Sequence, residues 1–214
     1  NPNNRPSISD VLRYFNRSFS QQINKLSIKN TPEIQFFQGN IHEKDDIKST
    51  IHYYTLSANQ NYIDAQIQLG VLYHQGEKNT RDINKSIYYL SLAANQNDPI
   101  AQLCLGVIYD NSEYITRDIN KSIHYFTLAA NQNNPPALFK LGLIFYEGKY
   151  ITKDINKSIY YITLSANQNL SKAQLMLGFI YYEGKYIARD INKSIHYLSL
   201  AANQNNPDAQ FLLG

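Results

Sequence analysis

Histidine is the residue type in this chain that most readily binds a metal, and three of the five histidines recur at equal spacing. His52, His124 and His196 lie 72 residues apart, with Tyr88 and Tyr160 midway between them. In a protein built from helix pairs such side chains would be roughly 20 Å apart, because packed helices lie about 8–10 Å from each other. Metal ligands need bonds of about 2 Å. We therefore expect no metal site.

Other candidate chemistry also has a structural explanation. Cys104 is the only cysteine, so no disulfide can form within the chain, and no neighbouring cation favours its thiolate. Asn-Lys-Ser tripeptides match the N-glycosylation pattern, but each would lie in the first turn of a helix. They begin at Asn84, Asn120, Asn156 and Asn192. The sequence has no G-x-G-x-x-G, Walker lysine, H-R-D, D-F-G or G-x-S-x-G motif, so we expect no catalysis and no cofactor.

A segment that recurs every 36 residues organises the chain. DINKSIYYLSLAANQ, which begins at Asp82, returns with small changes at Asp118, Asp154 and Asp190, and in a more divergent form at Asp46. Repeats with periods of about 20 to 50 residues indicate a solenoid, because one repeat alone cannot bury its apolar surface. The sequence therefore predicts an all-α solenoid of five helix pairs, the first of them irregular.

The first helix of each repeat, helix A, begins with an alanine. The pattern A-x-x-x-L-G-x-x-Y places Ala65, Leu69 and Tyr73 on one stripe of an α-helix. The glycine after the leucine costs about 1 kcal/mol relative to alanine inside a helix. It recurs at Gly70, Gly106, Gly142 and Gly178. This recurrence predicts that a neighbouring helix approaches the backbone closely at the glycine.

The second helix, helix B, follows a short loop. An aspartate at its start is predicted to be the N-cap, because a carboxylate accepts the free backbone amides of the first turn. The predicted caps are Asp82, Asp118, Asp154 and Asp190. Gly76, Gly148 and Gly184 are predicted to end helix A in a left-handed conformation. One repeat has Asp110-Asn111-Ser112 at that place, which predicts a slightly altered loop after an intact helix.

The period also gives the domain boundaries. Residues 1–28 lie outside the repeat, and residues 29–64 form a divergent first repeat without the usual alanine and interior glycine. Full repeats cover 65–100, 101–136, 137–172 and 173–208, and a partial repeat covers 209–214.

The N-terminal segment has a pattern of its own. Ser7 and Asp10 have the spacing of a capping box, and apolar residues follow at intervals of three and four, which predicts an amphipathic helix. Residues 1–16 resemble the C-terminal end of a protein kinase domain, in which a turn N-P-x-x-R-P leads into the last helix; Arg5 matches the arginine of that turn. The resemblance implies a kinase domain upstream of Asn1. The alternative is a polar capping helix for the solenoid.

Composition excludes several classes of partner. The net charge is +3 and no run of Lys or Arg exceeds two residues, so we expect no binding to nucleic acid. No apolar run approaches the roughly 18 residues of a membrane-spanning helix, so we expect no membrane association. The sequence does not begin with a signal segment, and its single cysteine fits a reducing compartment. We therefore expect a cytoplasmic location.

The repeat resembles the Sel1-like repeat, a relative of the tetratricopeptide repeat. The matching positions in one repeat are Ala65, Leu69, Gly70, Tyr73, Gly76, Asp82, Lys85, Tyr89, Ala93 and Ala94. Serine stands where the family usually has alanine, at Ser86, Ser122, Ser158 and Ser194. The resemblance implies a right-handed α-solenoid that acts as a non-catalytic scaffold and binds a protein or peptide partner on its concave face. Two interpretations remain open: the recruiting region of a protein kinase, or a stand-alone adaptor, for example in the secretory pathway.

A candidate partner surface lies on the face of helix A opposite the core stripe. Positions three, six and ten residues after each alanine vary in chemistry, whereas the core stripe hardly changes. An apolar row between polar residues is typical of a peptide groove. The predicted surface comprises Gln68, Val71, Gln75, Val107, Asn111, Lys140, Leu143, Glu147, Met176, Phe179 and Glu183. The alternative is that the residue at offset six packs against the next repeat.

Overall fold

The computed structural model describes residues 31–43, 46–76, 80–110, 113–149 and 151–214. The kinase-like helix predicted within residues 1–28 lies outside these ranges. The regular structure in the described ranges is α-helical throughout. The chain divides into two compact units, one up to Gln96 and one from Asn97 onwards.

The first unit contains two helix pairs. Its helices are α1 (Pro32–His42), α2 (Ile47–Ala58), α3 (Ile63–Gln75) and α4 (Ile83–Asn95). Helix α1 packs on α2 and α3 packs on α4, while α2 also contacts α3. Each helix therefore touches the helices next to it in sequence.

The second unit continues the same arrangement with three pairs and one further helix. Its helices are α5 (Pro99–Asp110), α6 (Ile119–Asn131), α7 (Pro135–Glu147), α8 (Ile155–Asn167), α9 (Ser171–Glu183), α10 (Ile191–Asn203) and α11 (Pro207–Leu213). Within the pairs, α5 packs on α6, α7 on α8 and α9 on α10. Successive pairs meet where helix B of one pair contacts helix A of the next. The predicted all-α fold of consecutive helix pairs is confirmed.

The two helices of a pair come into close contact at the interior glycine of helix A. A Cβ added at Gly70 would lie 2.4 Å from Leu90 Cγ, and one at Gly142 would lie 2.4 Å from Ile162 Cγ1. Equivalent contacts join Gly106 to Phe126 and Gly178 to Leu198. The predicted close approach is confirmed, and the approaching helix is helix B of the same pair.

The first pair contains this glycine too, contrary to the sequence prediction. Gly39 of α1 faces the Tyr54 ring, with a Cβ–Cδ1 distance of 2.3 Å for an added Cβ. Tyr54 lies 15 residues after Gly39, whereas Leu90 lies 20 residues after Gly70. The end of helix A and the loop after it are shorter in the first pair, so the glycine falls out of the 36-residue register and was missed.

The serine that departs from the family pattern lies at the same contact. Ser86 Oγ donates to the Gly70 carbonyl at 2.7 Å, and Ser194 Oγ donates to the Gly178 carbonyl at 2.8 Å. The hydroxyls of Ser122 and Ser158 are buried without a hydrogen-bond partner in the described part of the chain. These two serines belong to the pairs in which phenylalanine or isoleucine, not leucine, contacts the glycine.

The predicted N-caps are confirmed, and two of the three predicted glycine C-caps are as well. The Lys85 amide donates to Asp82 Oδ1 at 3.0 Å, and the three later aspartates cap in the same way. Gly148 and Gly184 are left-handed, with φ of 62° and 63°. Gly76 has φ −55°, so that prediction was wrong. Its carbonyl accepts a hydrogen bond from Arg81 Nε in a loop that has Lys-Asn where the later repeats have Tyr-Ile.

Helix B ends on a left-handed asparagine in every repeat of the described chain. These residues, with φ between 58° and 66°, are Asn61, Asn97, Asn133, Asn169 and Asn205. The Asn133 amide donates to the Ala130 carbonyl at 2.8 Å, and the Asn134 amide donates to the Ala129 carbonyl at 3.1 Å. This is the Schellman pattern, with asparagine in the place that glycine usually occupies.

A buried glutamine joins successive helix B ends within a unit. Gln66, which is fully buried, donates from Nε2 to the Ala58 carbonyl at 3.2 Å and accepts at Oε1 from Gln96 Nε2 at 2.8 Å. Gln174 makes the same two bonds, to the Ala166 carbonyl and from Gln204. Each of these glutamines therefore connects the C-terminal ends of two neighbouring B helices.

Candidate functional site

The predicted surface on α3 is partly exposed. Gln68 and Gln75 are exposed and Val71 is half-buried. On the opposite side of the helix, Ala65 and Leu69 are fully buried, as the core stripe predicts. Helix α3 therefore places the predicted polar residues in solvent and its apolar stripe in the core.

In the second unit, exposure of the predicted row increases towards the C-terminal repeat. Val107 packs against the cluster that contains Leu138 and Leu141 of the next pair, which is the alternative considered for offset six. Leu143 is half-buried, whereas Phe179 is 40% exposed. Among the remaining predicted residues of this unit, the half-buried ones are Lys140 and Met176 and the exposed ones are Glu147 and Glu183. Asn111 lies outside the described residues.

Phe179 and Met176 form part of an open groove of about 450 Å³ between α7, α9 and α11. The apolar residues that line it are Phe139, Leu175, Met176, Phe179 and Leu212. Lys172, Asn206 and Asp208 line its polar margin. The groove therefore combines an apolar floor with a few polar groups, which is the usual character of a site that receives a side chain.

Asparagine caps position the helices on either side of this groove. The Ala137 amide donates to Asn134 Oδ1 at 3.0 Å and fixes the start of α7. The Ala209 amide donates to Asn206 Oδ1 at 3.1 Å, and Asn206 Nδ2 donates to Ser171 Oγ at 3.2 Å. The second contact holds the first turn of α11 against the first turn of α9.

The sequence prediction found two residues of the groove and missed three. Phe139 and Leu175 lie two residues after the alanine of helix A, an offset that the prediction left out. Leu212 lies at offset three in the partial repeat. A signal was available, because offset two is apolar in every repeat, as Ile67, Leu103, Phe139, Leu175 and Phe211.

The residues considered for metal and thiol chemistry have other surroundings. The His124 and His196 rings each lie against the ring of the following tyrosine, with centroids 5.2 Å apart. Groups of three or more potential metal ligands are absent from the described part of the chain. Burial, with a smaller contribution from Asp98, raises the pKa of Cys104, which favours the protonated thiol.

Two further pKa shifts reflect the repeat architecture. The hydrogen bond from the Lys85 amide lowers the pKa of the Asp82 carboxyl, and the Lys121 amide does the same for Asp118. Burial raises the pKa of Tyr54 to about 12. Its hydroxyl donates to Asn40 Oδ1 at 2.7 Å, which requires the protonated phenol. These groups serve helix starts and the core, and none of them lies in the groove.

Among the helices that the structure describes, none is both long and apolar enough to cross a membrane.

Comparison with solved structures finds relatives of the same architecture. A Sel1 repeat protein from Oxalobacter formigenes is 29% identical with a TM-score of 0.76, over 84% of this chain and 76% of that chain. A protective antigen of uropathogenic Escherichia coli strains, described as displaying an SLR fold, is 27% identical with a TM-score of 0.77. That match covers 89% of this chain but only 42% of the antigen. A search of curated proteins gave no match.

A third solved structure shows the fold alone. The immunity protein Pa5087 from Pseudomonas aeruginosa is 19% identical, with a TM-score of 0.55 over 83% of this chain and 67% of that chain.

The family comparison covers most of the chain. A sequence model of the Sel1 repeat matches five times, at residues 36–62, 63–98, 99–134, 135–170 and 171–206. The matches keep the 36-residue period and begin two residues before the repeats drawn from the alanine pattern. Residues 1–16, which carry the kinase resemblance, lie outside the matched ranges. The chain belongs to the Sel1 repeat family.

Proposed function

We propose that this chain is a non-catalytic scaffold that binds a protein segment in the groove between α7, α9 and α11. Sel1 repeat proteins are protein-interaction scaffolds. The observation that carries the proposal is the exposure of Phe179. Leu177 and Ile180 on the same helix are buried, whereas Phe179 is 40% exposed and forms a wall of the groove.

The chemistry of the groove indicates the group that it would receive. Phe139, Met176 and Phe179 present two rings and a thioether to one space of about 450 Å³. A large apolar side chain of a partner would displace water from these surfaces. Lys172 and Asp208 at the margin would face the polar backbone of the same segment. The proposed ligand is a peptide segment with one large apolar anchor.

The other predicted residues extend this proposal. Glu147, Glu183, Lys140 and Leu143 lie on the A helices that form the groove, and we include them as its flanking surface. The predicted contributions of Gln68, Val71 and Gln75 on α3, and of Val107 and Asn111, remain predictions. Neither the family match nor the solved relatives support a connection to a protein kinase or a specific adaptor pathway, so both also remain predictions.

Phe179→Ala tests the groove. A display library of random peptides is selected on the wild-type chain, and the affinity of the enriched peptides is then measured for the variant. We expect peptides with a leucine, phenylalanine or tryptophan anchor. Loss of a central aromatic contact costs about 2 kcal/mol or more, which weakens binding roughly thirtyfold.

Tyr160→Ala is the matched control, because Tyr160 is an exposed aromatic residue on a B helix and does not line the groove. It should leave peptide affinity unchanged. Thermal melts accompany both variants, and partial burial predicts a loss of about 1–2 kcal/mol for Phe179→Ala. A loss of about 3–5 kcal/mol would assign Phe179 to the core instead. Equal affinity of the selected peptides for the wild type and Phe179→Ala would overturn the proposed site.

A further inference from the structure

The loop between helix A and helix B changes its electrostatics from one repeat to the next. In the repeat of α5 and α6, the Arg117 guanidinium forms an ion pair with Asp110. The cation is kept 36 and 72 residues later, as Lys153 and Arg189, but the carboxylate is not. The residues that correspond to Asp110 are Tyr146 and Tyr182. The two later cations have therefore lost the carboxylate that neutralises Arg117.

Tyrosine rings take the place of this carboxylate around Lys153. Lys153 Nζ lies 5.0 Å from the centroid of Tyr146 and 4.2 Å from that of Tyr186, and it donates to the Tyr186 hydroxyl at 2.9 Å. The Tyr146 and Tyr186 rings pack edge to face with centroids 5.8 Å apart. Rings attract a cation through their quadrupole but carry no net charge, so the positive charge of Lys153 remains.

A second substitution adds positive charge beside it. The residue after the position of Ser112 is Glu113 in the earlier repeat and Lys149 or Lys185 in the two later ones. Lys185 Nζ lies 5.2 Å from the Tyr186 ring, and the Arg189 guanidinium lies 5.1 Å from the Tyr182 ring. We call this surface the cationic tyrosine cluster. It comprises Tyr146, Lys153, Tyr182, Lys185, Tyr186 and Arg189.

We propose that the cationic tyrosine cluster binds an acidic protein segment, a short run of glutamate and aspartate side chains. Lys153, Lys185 and Arg189 are exposed and can donate charge-assisted hydrogen bonds to carboxylates. The rings hold Lys153 in place, which reduces the entropy lost on binding. This surface is separate from the apolar groove, so the proposal goes beyond it by adding a second contact and the charge of the partner.

Carboxylates near the cluster favour a short acidic peptide over nucleic acid. Glu183 lies close enough to Lys185 to raise its pKa. Asp154 and Asp190 directly follow two of the cations in sequence, where they cap helix B. A continuous phosphate chain would have to pass these negative charges, whereas separate carboxylates can be placed on the cations alone.

Fluorescein-labelled octaglutamate and fluorescence anisotropy test the proposal. Octaglutamate should bind the wild-type chain, and a neutral octaserine peptide should not. Lys153→Glu should weaken octaglutamate binding about tenfold or more, because it replaces a donor with a repelling carboxylate. The matched control is Lys172→Glu, the same charge change at the margin of the groove. With salt screening beyond about 8 Å, it should change affinity by less than about twofold.

Tyr146→Asp is the second variant. It restores the residue type found at Asp110 and should pair with Lys153, so it should weaken octaglutamate without loss of helix content by circular dichroism. Phe179→Ala should leave octaglutamate affinity unchanged, which separates this surface from the groove.

Three results would overturn the proposal. The first is equal weakening by Lys153→Glu and Lys172→Glu, which would indicate attraction to net charge alone. The second is an absence of binding up to about 1 mM octaglutamate, where the binding free energy is only about −4 kcal/mol. The third is displacement of octaglutamate by a lower concentration of single-stranded oligothymidylate, which would make the ligand a nucleic acid.

Discussion

The contact between the two helices of a pair is nearly constant along the chain, whereas the loop that joins them is not. An added Cβ on the interior glycine would meet the facing side chain at 2.4 Å to 2.6 Å in the four pairs from α3 to α10. In the loops, by contrast, the Asp110–Arg117 ion pair gives way to Lys153 between two tyrosine rings. Folding fixes the glycine contact, because each pair depends on it. The loop residues are free to differ, and their differences are where one repeat can bind what another cannot.

The glycine contact should show the largest effect. Gly142→Val places a branched side chain against Ile162, with the Ser158 carbonyl 3.2 Å from the added Cβ. Because a backbone carbonyl cannot move aside as a side chain can, overpacking should cost about 3 kcal/mol. Thermal or urea unfolding measures this loss.

The neighbouring substitution Leu143→Val is the control, because Leu143 is half-buried on the other face of α7. It should cost about 1 kcal/mol. Equal losses for the two variants would show that the glycine contact is looser than its geometry indicates.

The helix ends come next in size. Asn133 has φ 58° and an exposed side chain, so Asn133→Val removes little packing but forces a β-branched residue into the left-handed region. The expected cost is about 1–2 kcal/mol in the free energy of unfolding. Asn133→Gly should be neutral or slightly stabilising, because glycine adopts this conformation without strain. Similar melting temperatures for the valine and glycine variants would argue against the left-handed end.

A smaller effect would qualify the constancy of the glycine contact. Ser86→Ala removes a hydrogen bond to the Gly70 carbonyl and should cost about 1 kcal/mol. Ser122→Ala removes a buried hydroxyl that lacks a partner in the described chain, so it should be neutral or stabilising by up to about 1 kcal/mol. The comparison of the two melts is the measurement. Equal destabilisation would mean that both hydroxyls are hydrogen-bonded in solution.

Features that repeat in register could be predicted from the sequence. The 36-residue period placed the aspartate caps, the interior glycines and the order of the helices. Gly39 escaped because the first pair is five residues shorter between its glycine and the facing ring. Gly76 was wrong because identity of one residue does not fix a loop whose other residues differ.

Features that depend on distant partners could not be predicted in the same way. The buried role of Gln66 depends on a carbonyl of α2 and an amide at the end of α4, and neither is adjacent in sequence. The groove combines offsets two, three and six from three different helices, so a single-helix stripe identified only Met176 and Phe179. The tyrosine at 186 contacts a lysine 33 residues earlier. Such contacts require the packing of successive pairs.

The final prediction concerns the titration of Tyr186 and should leave stability at neutral pH unchanged. Hydrogen bonds first from Lys153 and then from Lys185 lower the pKa of the Tyr186 phenol below its ordinary value of 10.0. A lowered pKa in the folded chain stabilises the fold only above the pKa of the unfolded chain, and that contribution disappears as the pH falls through the folded pKa. Ultraviolet absorbance of the phenolate, taken as the difference between the wild type and Tyr186→Phe, should therefore show ionisation below pH 10. Lys153→Met should shift this ionisation to higher pH while the melting temperature at pH 7 stays the same. A Tyr186 titration that Lys153→Met does not move would show that the lysine does not hold the phenol in solution, and would remove the ring from the cationic tyrosine cluster.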